Sequence, residues 1–176
     1  MGYNRRMILK PQDVVMLLAV SLRSDVPWTT RSLGSDLSLS PAEVSEGINR
    51  LKAARLLQPD NRQPIRRALE EFLIHGVKYA YPPDRGGLTR GVPTGYAAPP
   101  LAGMIVQPGN DPPVWPDLEG PVRGYAFSPL YKTVPKSAGR DACLYELLAL
   151  VDAIRDGRPR EADLAVQELT KRIRTR

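Results

Sequence analysis

Residues 37–57 read LSLSPAEVSEGINRLKAARLL, and this stretch decides the fold of the first third of the chain. Ser40, Pro41 and Glu43 form a helix-start pattern, in which a serine N-cap precedes a proline at the first helical position. The glutamate two residues after that proline can reach back to the backbone N–H of the cap. Apolar residues then recur at helical spacing, at Val44, Ile48 and Leu51. The pattern predicts a helix over residues 41–55 with one side packed inward.

The opposite face of this helix carries small, amide and charged side chains: Ala42, Ser45, Glu46, Asn49, Arg50 and Lys52. An ordinary core helix with a solvated outer face has much the same composition. The role of this face therefore depends on the segments on either side of it.

The preceding segments also read as helices. Residues 12–23 have apolar side chains at helical spacing after Pro11, and residues 25–28 break that helix. Thr29 or Thr30 then caps a short helix over residues 31–37, and a tight turn through Ser38 and Leu39 follows. A helix, a short helix, a tight turn and a longer capped helix is the arrangement of a helix-turn-helix unit.

Such units place the amino-terminal part of their last helix in the major groove of DNA. An asparagine there can make a two-pronged contact to adenine, and an arginine can contact guanine or a phosphate. Flanking cations meet phosphates and orient the protein without reading sequence. The predicted DNA-contacting residues are Thr30, Arg31, Ser45, Glu46, Asn49, Arg50, Lys52, Arg62 and Arg66.

The sequence WTTRSLGSDLSLSPAEVSEGINRLKAARLL, residues 28–57, resembles the DNA-binding core of winged helix-turn-helix transcriptional regulators, including the MarR-like group. The resemblance extends over roughly residues 9–57, and it is carried by Ser40, Val44, Ser45, Ile48, Leu51, Leu56 and Leu57. It implies that Ser45, Asn49 and Arg50 face the bases. It also implies a β-hairpin wing after the recognition helix.

The chain departs from this family pattern at two points. The segment LLQPDNRQPIRR, residues 56–67, has little strand-forming sequence, so the wing is short, absent or supplied later by residues 77–90. Glu46 repels phosphate from the face predicted to read DNA, although a glutamate can accept a hydrogen bond from cytosine.

The charge distribution favours a polyanionic partner for the amino-terminal third. The chain has a formal net charge of +6 and a pI near 9.7. Residues 1–67 contain eleven Lys and Arg against six Asp and Glu, whereas the remaining two thirds are nearly balanced. Nucleic acid is therefore expected to bind near the predicted helix-turn-helix.

Proline and glycine divide the 176 residues into three predicted segments. A helical domain covers residues 1–76, with a helix that starts at Pro64 and ends at Gly76. A Pro/Gly-rich extended segment covers residues 77–139; it holds twelve of the eighteen prolines and begins with a short strand over residues 77–81. Residues 140–176 form an α-hairpin whose second helix starts at Pro159. The predicted fold class is mainly α with a small β component.

The sequence contains few residues suited to catalysis or metal binding. His75 is the only histidine and Cys143 the only cysteine, so paired histidine ligands and an internal disulfide are both excluded. Cys143 is expected to be a small core residue. The glycine-rich stretch DRGGLTRG, residues 84–91, lacks the Lys-Ser/Thr ending and the strand-to-helix setting of a P-loop. We expect no enzymatic activity, no metal and no cofactor.

The amino terminus contains NRRMILK, residues 4–10, which resembles a twin-arginine export signal. The apolar run at residues 14–20 is shorter than the ~20 residues that span a bilayer, and no small-residue cleavage site follows it. Gly2 is not followed by Ser or Thr at position 6, which argues against myristoylation. A cytoplasmic location without a membrane partner is predicted.

Two functions are consistent with these observations. The first is a homodimeric transcriptional regulator that binds double-stranded DNA in a sequence-specific way, with helix 41–55 in the major groove. The C-terminal hairpin and the aromatic middle segment are its expected dimer surface. The second is an antitoxin-like or adaptor protein that uses the helical domain and the Pro-rich segment to hold a protein partner.

Overall fold

A computed structural model describes residues 8–23, 25–60, 62–106 and 109–175 of the chain. The fold is mainly α-helical with one small three-stranded sheet, which confirms the predicted class at that level. The Arg5–Arg6 pair and Gly2, on which the export and lipidation arguments depend, lie outside the described residues. None of the helices within the described ranges combines the length and the apolar character needed to cross a bilayer.

The first three helices are α1 (Pro11–Ser21), α2 (Thr30–Leu37) and α3 (Pro41–Ala53). Their predicted starts are confirmed. The Thr29 hydroxyl accepts from the Ser32 backbone N–H at 3.0 Å, and the Ser40 hydroxyl accepts from the Glu43 N–H at 3.2 Å. The Glu43 carboxylate accepts in turn from the Ser40 N–H at 2.9 Å, which completes the capping box. Arg55 adopts a left-handed φ of 59°, and α3 therefore ends before it.

A small hairpin follows α3, with arms formed by residues 56–58 and 63–65. Its two arms exchange backbone hydrogen bonds, from the Gln58 N–H to the Gln63 carbonyl at 2.8 Å and from the Ile65 N–H to the Leu56 carbonyl at 2.9 Å. We call this element the 56–65 hairpin. Because Pro64 takes part in a β-bridge with Leu57, the next helix begins two residues later than predicted.

That next helix does not end at Gly76. Helix α4 (Arg66–Glu71) continues through one π-helical turn (Phe72–Gly76) into α5 (Val77–Ala80), so the predicted strand at residues 77–81 was wrong. Leu69, Leu73 and Val77 recur every four residues and are all buried. This continuous apolar face favours helix over the short alternation at residues 77–81. Gly76 itself has a φ of −102°, which is not the left-handed conformation of a helix-ending glycine.

The sheet consists of β1 (Arg85–Pro93), β2 (Pro113–Pro116) and β3 (Val122–Phe127). β1 is antiparallel to both other strands, and β2 and β3 are parallel, so each strand pairs with the other two. This closure requires close backbone approach, and glycine permits it. A Cβ on Gly91 would lie 2.1 Å from the Trp115 carbonyl oxygen, and a Cβ on Gly124 would lie 2.0 Å from that of Pro112.

The last helices are α6 (Val134–Ala138), α7 (Ala142–Asp156) and α8 (Pro159–Arg174). The predicted α-hairpin of α7 and α8 is confirmed. Every residue from 147 to 155 of α7 is buried, as is every residue from 13 to 20 of α1, and these two helices contact each other. The core therefore surrounds α1 and α7.

This core draws side chains from all three predicted segments. The boundaries proposed at residues 76 and 139 thus separate stretches of different composition and not separate cores. The apolar stripes of the hairpin, which were expected to need a dimer partner, are buried within the chain: α1, α5 and α6 pack on α7, and α4 packs on α8.

A buried polar network fastens the sheet to α7. Asp152, 2% exposed, accepts from the Trp115 indole N–H at 2.6 Å, the Thr94 hydroxyl at 2.8 Å and the Arg155 guanidinium at 2.7 Å. Arg155 also donates to the Tyr81 carbonyl at 2.8 Å. Burial raises the pKa of Asp152, while the Arg155 charge and the donors act in the opposite direction. The middle segment is consequently held by charge-assisted hydrogen bonds as well as by apolar contact.

Candidate nucleic-acid interface

The surface formed by α2 and α3 begins with the turn that joins them. Ser38 takes a left-handed φ of 54°, and the Leu39 N–H donates to the Gly34 carbonyl at 2.8 Å. The tight turn places the apolar faces of both helices against α1 and the core, where five side chains are buried: Leu33, Leu37, Val44, Ile48 and Leu51. The inward set predicted for α3 is confirmed.

Four of the six residues predicted for the outward face of α3 are exposed there. Ala42, Ser45, Glu46 and Asn49 are exposed, and they occupy successive turns on one side of the helix. Two of these side chains, Ala42 and Ser45, are small, so another molecule can approach the helix backbone closely at these positions.

Arg50 is not part of this outward face, and its predicted contact with a base or a phosphate was wrong. It is 3% exposed, and its Nε and Nη2 donate to Oδ2 and Oδ1 of Asp13 on α1, each at 2.7 Å. Asp13 is fully buried. The Asp13 hydrogen bond raises the pKa of the guanidinium further above its already high value. Arg50 points toward α1 because a buried carboxylate there needs a cation.

A glycine on α3 makes this pairing possible. A Cβ on Gly47 would lie 1.9 Å from Met16 Cε and 2.9 Å from Asp13 Oδ1. The missing side chain therefore lets α1 and α3 approach closely at the position where the ion pair forms.

Glu46 is exposed on the outward face, with its carboxylate 3.6 Å from Arg50 Nη1. Its side chain is 71% exposed, so this contact is weak and solvent-screened. The buried guanidinium nevertheless offsets part of the negative charge that Glu46 presents.

The other predicted DNA-contacting residues differ in how available they are. Arg31 is exposed near the start of α2, and Thr30 is half-buried at its first position. Arg62 is exposed on the 56–65 hairpin, with its guanidinium 5.6 Å from the centroid of the Trp28 ring. Lys52 is half-buried, and its ammonium donates to the Pro59 carbonyl at 2.6 Å. The ammonium group of Lys52 therefore stabilises the hairpin and is less available for a contact with DNA.

Arg66 is exposed at the first position of α4. It lines a cavity of about 350 Å³ between α1, α4, α7 and α8, whose apolar wall includes Leu22, Leu147 and Ile173. Arg66 is thus placed beside the base of the 56–65 hairpin.

Two residues from distant parts of the chain support the start of α3. Arg140 donates to the Ser35 carbonyl at 2.8 Å and lies 3.3 Å from the Ser38 hydroxyl, across the α2–α3 turn. The Tyr131 hydroxyl lies 3.5 Å from Glu43 Oε1. Sequence reasoning missed both, since they follow the turn by about a hundred residues and no local pattern connects them.

The charge of Glu43 is favoured by its surroundings. The Ser40 backbone N–H lowers the pKa of Glu43 most, followed by the Ser40 hydroxyl, the Tyr131 hydroxyl and the Lys132 ammonium. The capping carboxylate is therefore ionised at neutral pH and neutralises the positive end of the α3 dipole.

The described parts of the chain include one histidine, His75, and one cysteine, Cys143. Within these ranges no group of three or more His, Cys, Asp and Glu side chains could hold a metal ion. Cys143 is exposed on the first turn of α7, which corrects its expected place in the core. No family model matches the sequence, and the searches of curated proteins and of solved structures gave no match either.

Proposed function

We propose that the protein is a DNA-binding transcriptional regulator that reads double-stranded DNA with the exposed face of α3. The observation that carries the proposal is the α2–α3 pair. Its apolar side is buried, a tight turn joins its helices, and Ser45 and Asn49 remain exposed on the outward side. This combination suits a helix-turn-helix that places its second helix in the major groove.

In this proposal each exposed residue has a specific role. Asn49 makes a two-pronged contact to adenine, and Ala42 and Ser45 let the helix approach the base edges. Arg31 and Arg62 meet phosphates, and the 56–65 hairpin acts as a short wing in the winged-helix arrangement. Arg50 acts indirectly by holding α3 against α1.

A regulator of this kind usually doubles its single helix-turn-helix through a two-fold dimer. The apolar stripes of the α7–α8 hairpin are buried within the chain, so the dimer surface is proposed elsewhere. Leu88 and Tyr125 are directly paired on β1 and β3 and both are exposed, at 44% and 49%. Replacing both with glutamate should convert a dimer to a monomer in light scattering if this surface is used.

The direct test is selection of bound duplexes from a random library, followed by affinity measurements on the selected sequence. Asn49→Ala should weaken the selected duplex by ~1–3 kcal/mol and relax preference at one base pair. Arg31→Ala should weaken selected and random duplexes about equally. Gln167→Ala, at an exposed position on α8, is the matched control and should change neither. Failure to enrich any sequence, with no affinity above that for random DNA, would contradict the proposal.

The alternative is an antitoxin-like or adaptor protein, and one observation favours it. Val106 and Leu118 in the Pro/Gly-rich segment are 94% and 95% exposed, and both are suited to a protein contact. A stoichiometric protein that copurifies and is lost on Val106→Ser and Leu118→Ser replacement would support this alternative. Nucleic acid that copurifies at low salt would support the first proposal.

A further inference from the structure

Three cations lie at intervals of four residues around α6: Lys132, Lys136 and Arg140. All three are exposed. Lys136 lies on α6 itself, and Lys132 and Arg140 lie in the turns directly before and after it. We call this set the α6 basic edge.

The fold brings the α6 basic edge next to the α2–α3 turn. Helix α6 packs against α2. At one end of the edge, Arg140 holds the turn through the Ser35 carbonyl and the Ser38 hydroxyl, at 2.8 and 3.3 Å.

The other end of the edge lies beside the first turn of α3. The hydroxyl of Tyr131 is 3.5 Å from Glu43 Oε1, which places its neighbour Lys132 close to the start of that helix. The Lys132 ammonium also contributes to lowering the pKa of Glu43, as expected for a cation near that carboxylate. One end of the edge, Arg140, therefore lies at the α2–α3 turn, and the other end, Lys132, lies near the amino terminus of α3.

Neither lysine of the edge is neutralised inside the protein. In the described ranges, Lys132 and Lys136 form no ion pair; the Lys132 ammonium lies 5.9 Å from the ring centroid of its neighbour Tyr131 and interacts with the Glu43 carboxylate at longer range. By contrast, Arg23, Arg85, Arg172 and Arg174 each pair with a carboxylate. Two exposed ammonium groups without an ion pair, one of them near the start of α3, are electrostatically complementary to a phosphate backbone.

We propose that Lys132 and Lys136 contact the phosphate backbone of duplex DNA beside the amino terminus of α3, with Arg140 holding the turn in place for them. This inference rests on the proposed function, in which that part of α3 enters the major groove. The middle segment, whose charges balance in the sequence, would thus contribute cations to the DNA-binding surface. The contacts would orient the protein without reading base sequence.

The test is the salt dependence of DNA affinity in full-length variants. Lys132→Gln and Lys136→Gln, singly and together, are compared with Lys171→Gln, which removes the same charge from an exposed position on α8. Each lost phosphate contact should reduce the slope of log K against log salt by about one unit, so the double variant should lose about two. Affinity should fall equally for the selected duplex and a random one, and Lys171→Gln should match the unmodified protein.

The outcomes separate this inference from the proposed function. If the double variant behaves like Lys171→Gln while Arg31→Ala weakens binding, the edge does not contact DNA and the inference is overturned. If none of these variants changes binding and no duplex is selected, the proposed function itself fails. Loss of a copurifying acidic protein with an unchanged salt slope would also overturn the inference. Unfolding curves of each variant check that the lysine replacements leave the fold intact.

Discussion

Arg50 on α3 and Asp13 on α1 form a two-pronged ion pair in which both side chains are buried. The Asp13 carboxylate also accepts from the Lys10 backbone N–H at 2.8 Å, at the start of α1. One carboxylate thus connects the helix proposed to read DNA with a central helix of the core. The pair therefore fixes the orientation of α3 relative to α1.

Arg50→Ala should destabilise the protein by about 3–5 kcal/mol, because Asp13 would remain buried without its cation. Urea denaturation measures the loss. Arg55→Ala removes the same charge from an exposed position and should cost little. Full stability of Arg50→Ala together with selective loss of DNA affinity would instead restore Arg50 as a direct contact.

Gly47→Ala should destabilise the fold by about 1–3 kcal/mol, because the added methyl group would overlap Met16 Cε, 1.9 Å away. A double-mutant cycle provides the check. In a Met16→Ala background the nearer overlapping atom is gone while Asp13 Oδ1 remains at 2.9 Å, so the Gly47 substitution should cost less but not nothing. Ser45→Ala, on the exposed face of the same helix, should leave stability unchanged or raise it slightly. Equal costs in both backgrounds would show that the α1–α3 contact is looser than described.

Glu43 should make a small contribution to stability that depends on pH. Its folded pKa is lowered, chiefly by the Ser40 backbone N–H, so the contribution is present above the unfolded value of about 4.5. It is lost as pH falls through the folded pKa. Because the side chain is half-buried and its charge is partly screened by solvent, we expect about 0.5 kcal/mol at pH 7. Glu43→Gln should be less stable by that amount at pH 7, and the difference should shrink as pH falls below 4.5. A difference that does not change as the pH is lowered would contradict this origin.

Glu46→Gln should tighten binding to every duplex by about two- to tenfold, since a negative charge facing the phosphates is removed. Titrations of the selected duplex and of a random one at the same salt concentration measure the effect. Asp163→Gln, at an exposed carboxylate on α8, controls for the change in net charge. Weaker binding to the selected duplex with tighter binding to random DNA would show instead that Glu46 accepts from a cytosine.

Thr94→Val should cost about 1.5–3 kcal/mol, because it removes one donor to the buried carboxylate of Asp152. The near-UV circular dichroism of Trp115, which donates to the same oxygen, should change as well. Thr89→Val lies on the same strand with its hydroxyl 3.3 Å from a backbone carbonyl only, and it should be nearly neutral. An unchanged unfolding midpoint for Thr94→Val would show that the network does not fasten the sheet.

Local chemistry was sufficient to predict the starts of α2 and α3 and the inward face of α3. A serine or threonine hydroxyl and the backbone N–H groups it caps lie within four residues of one another. The same is true of an apolar stripe, whose period follows from helix geometry alone. The two helices of the C-terminal hairpin could be predicted for this reason.

Interactions between distant segments account for the errors. The residues around Arg50 in the sequence are those expected around an exposed cation. Its burial is favourable only because the fold places Asp13, 37 residues away in the sequence, beside it. Glycine ends helices in many proteins. Here the helix continues past Gly76 because Val77 is buried against the core. A local preference worth about 1 kcal/mol is overridden when tertiary packing contributes more.

Some residues of the proposed DNA-binding surface are placed by local sequence, and others are placed by tertiary packing. The sequence alone determined that Ser45 and Asn49 share the outward side of α3, since helical periodicity leaves no other place for them. Tertiary structure decided that Lys132 and Arg140 lie at the start of that helix, about ninety residues later in the chain. Which charges lie close together depends on how α6 packs against α2, and that packing depends on the shape of the whole core and not on any local pattern.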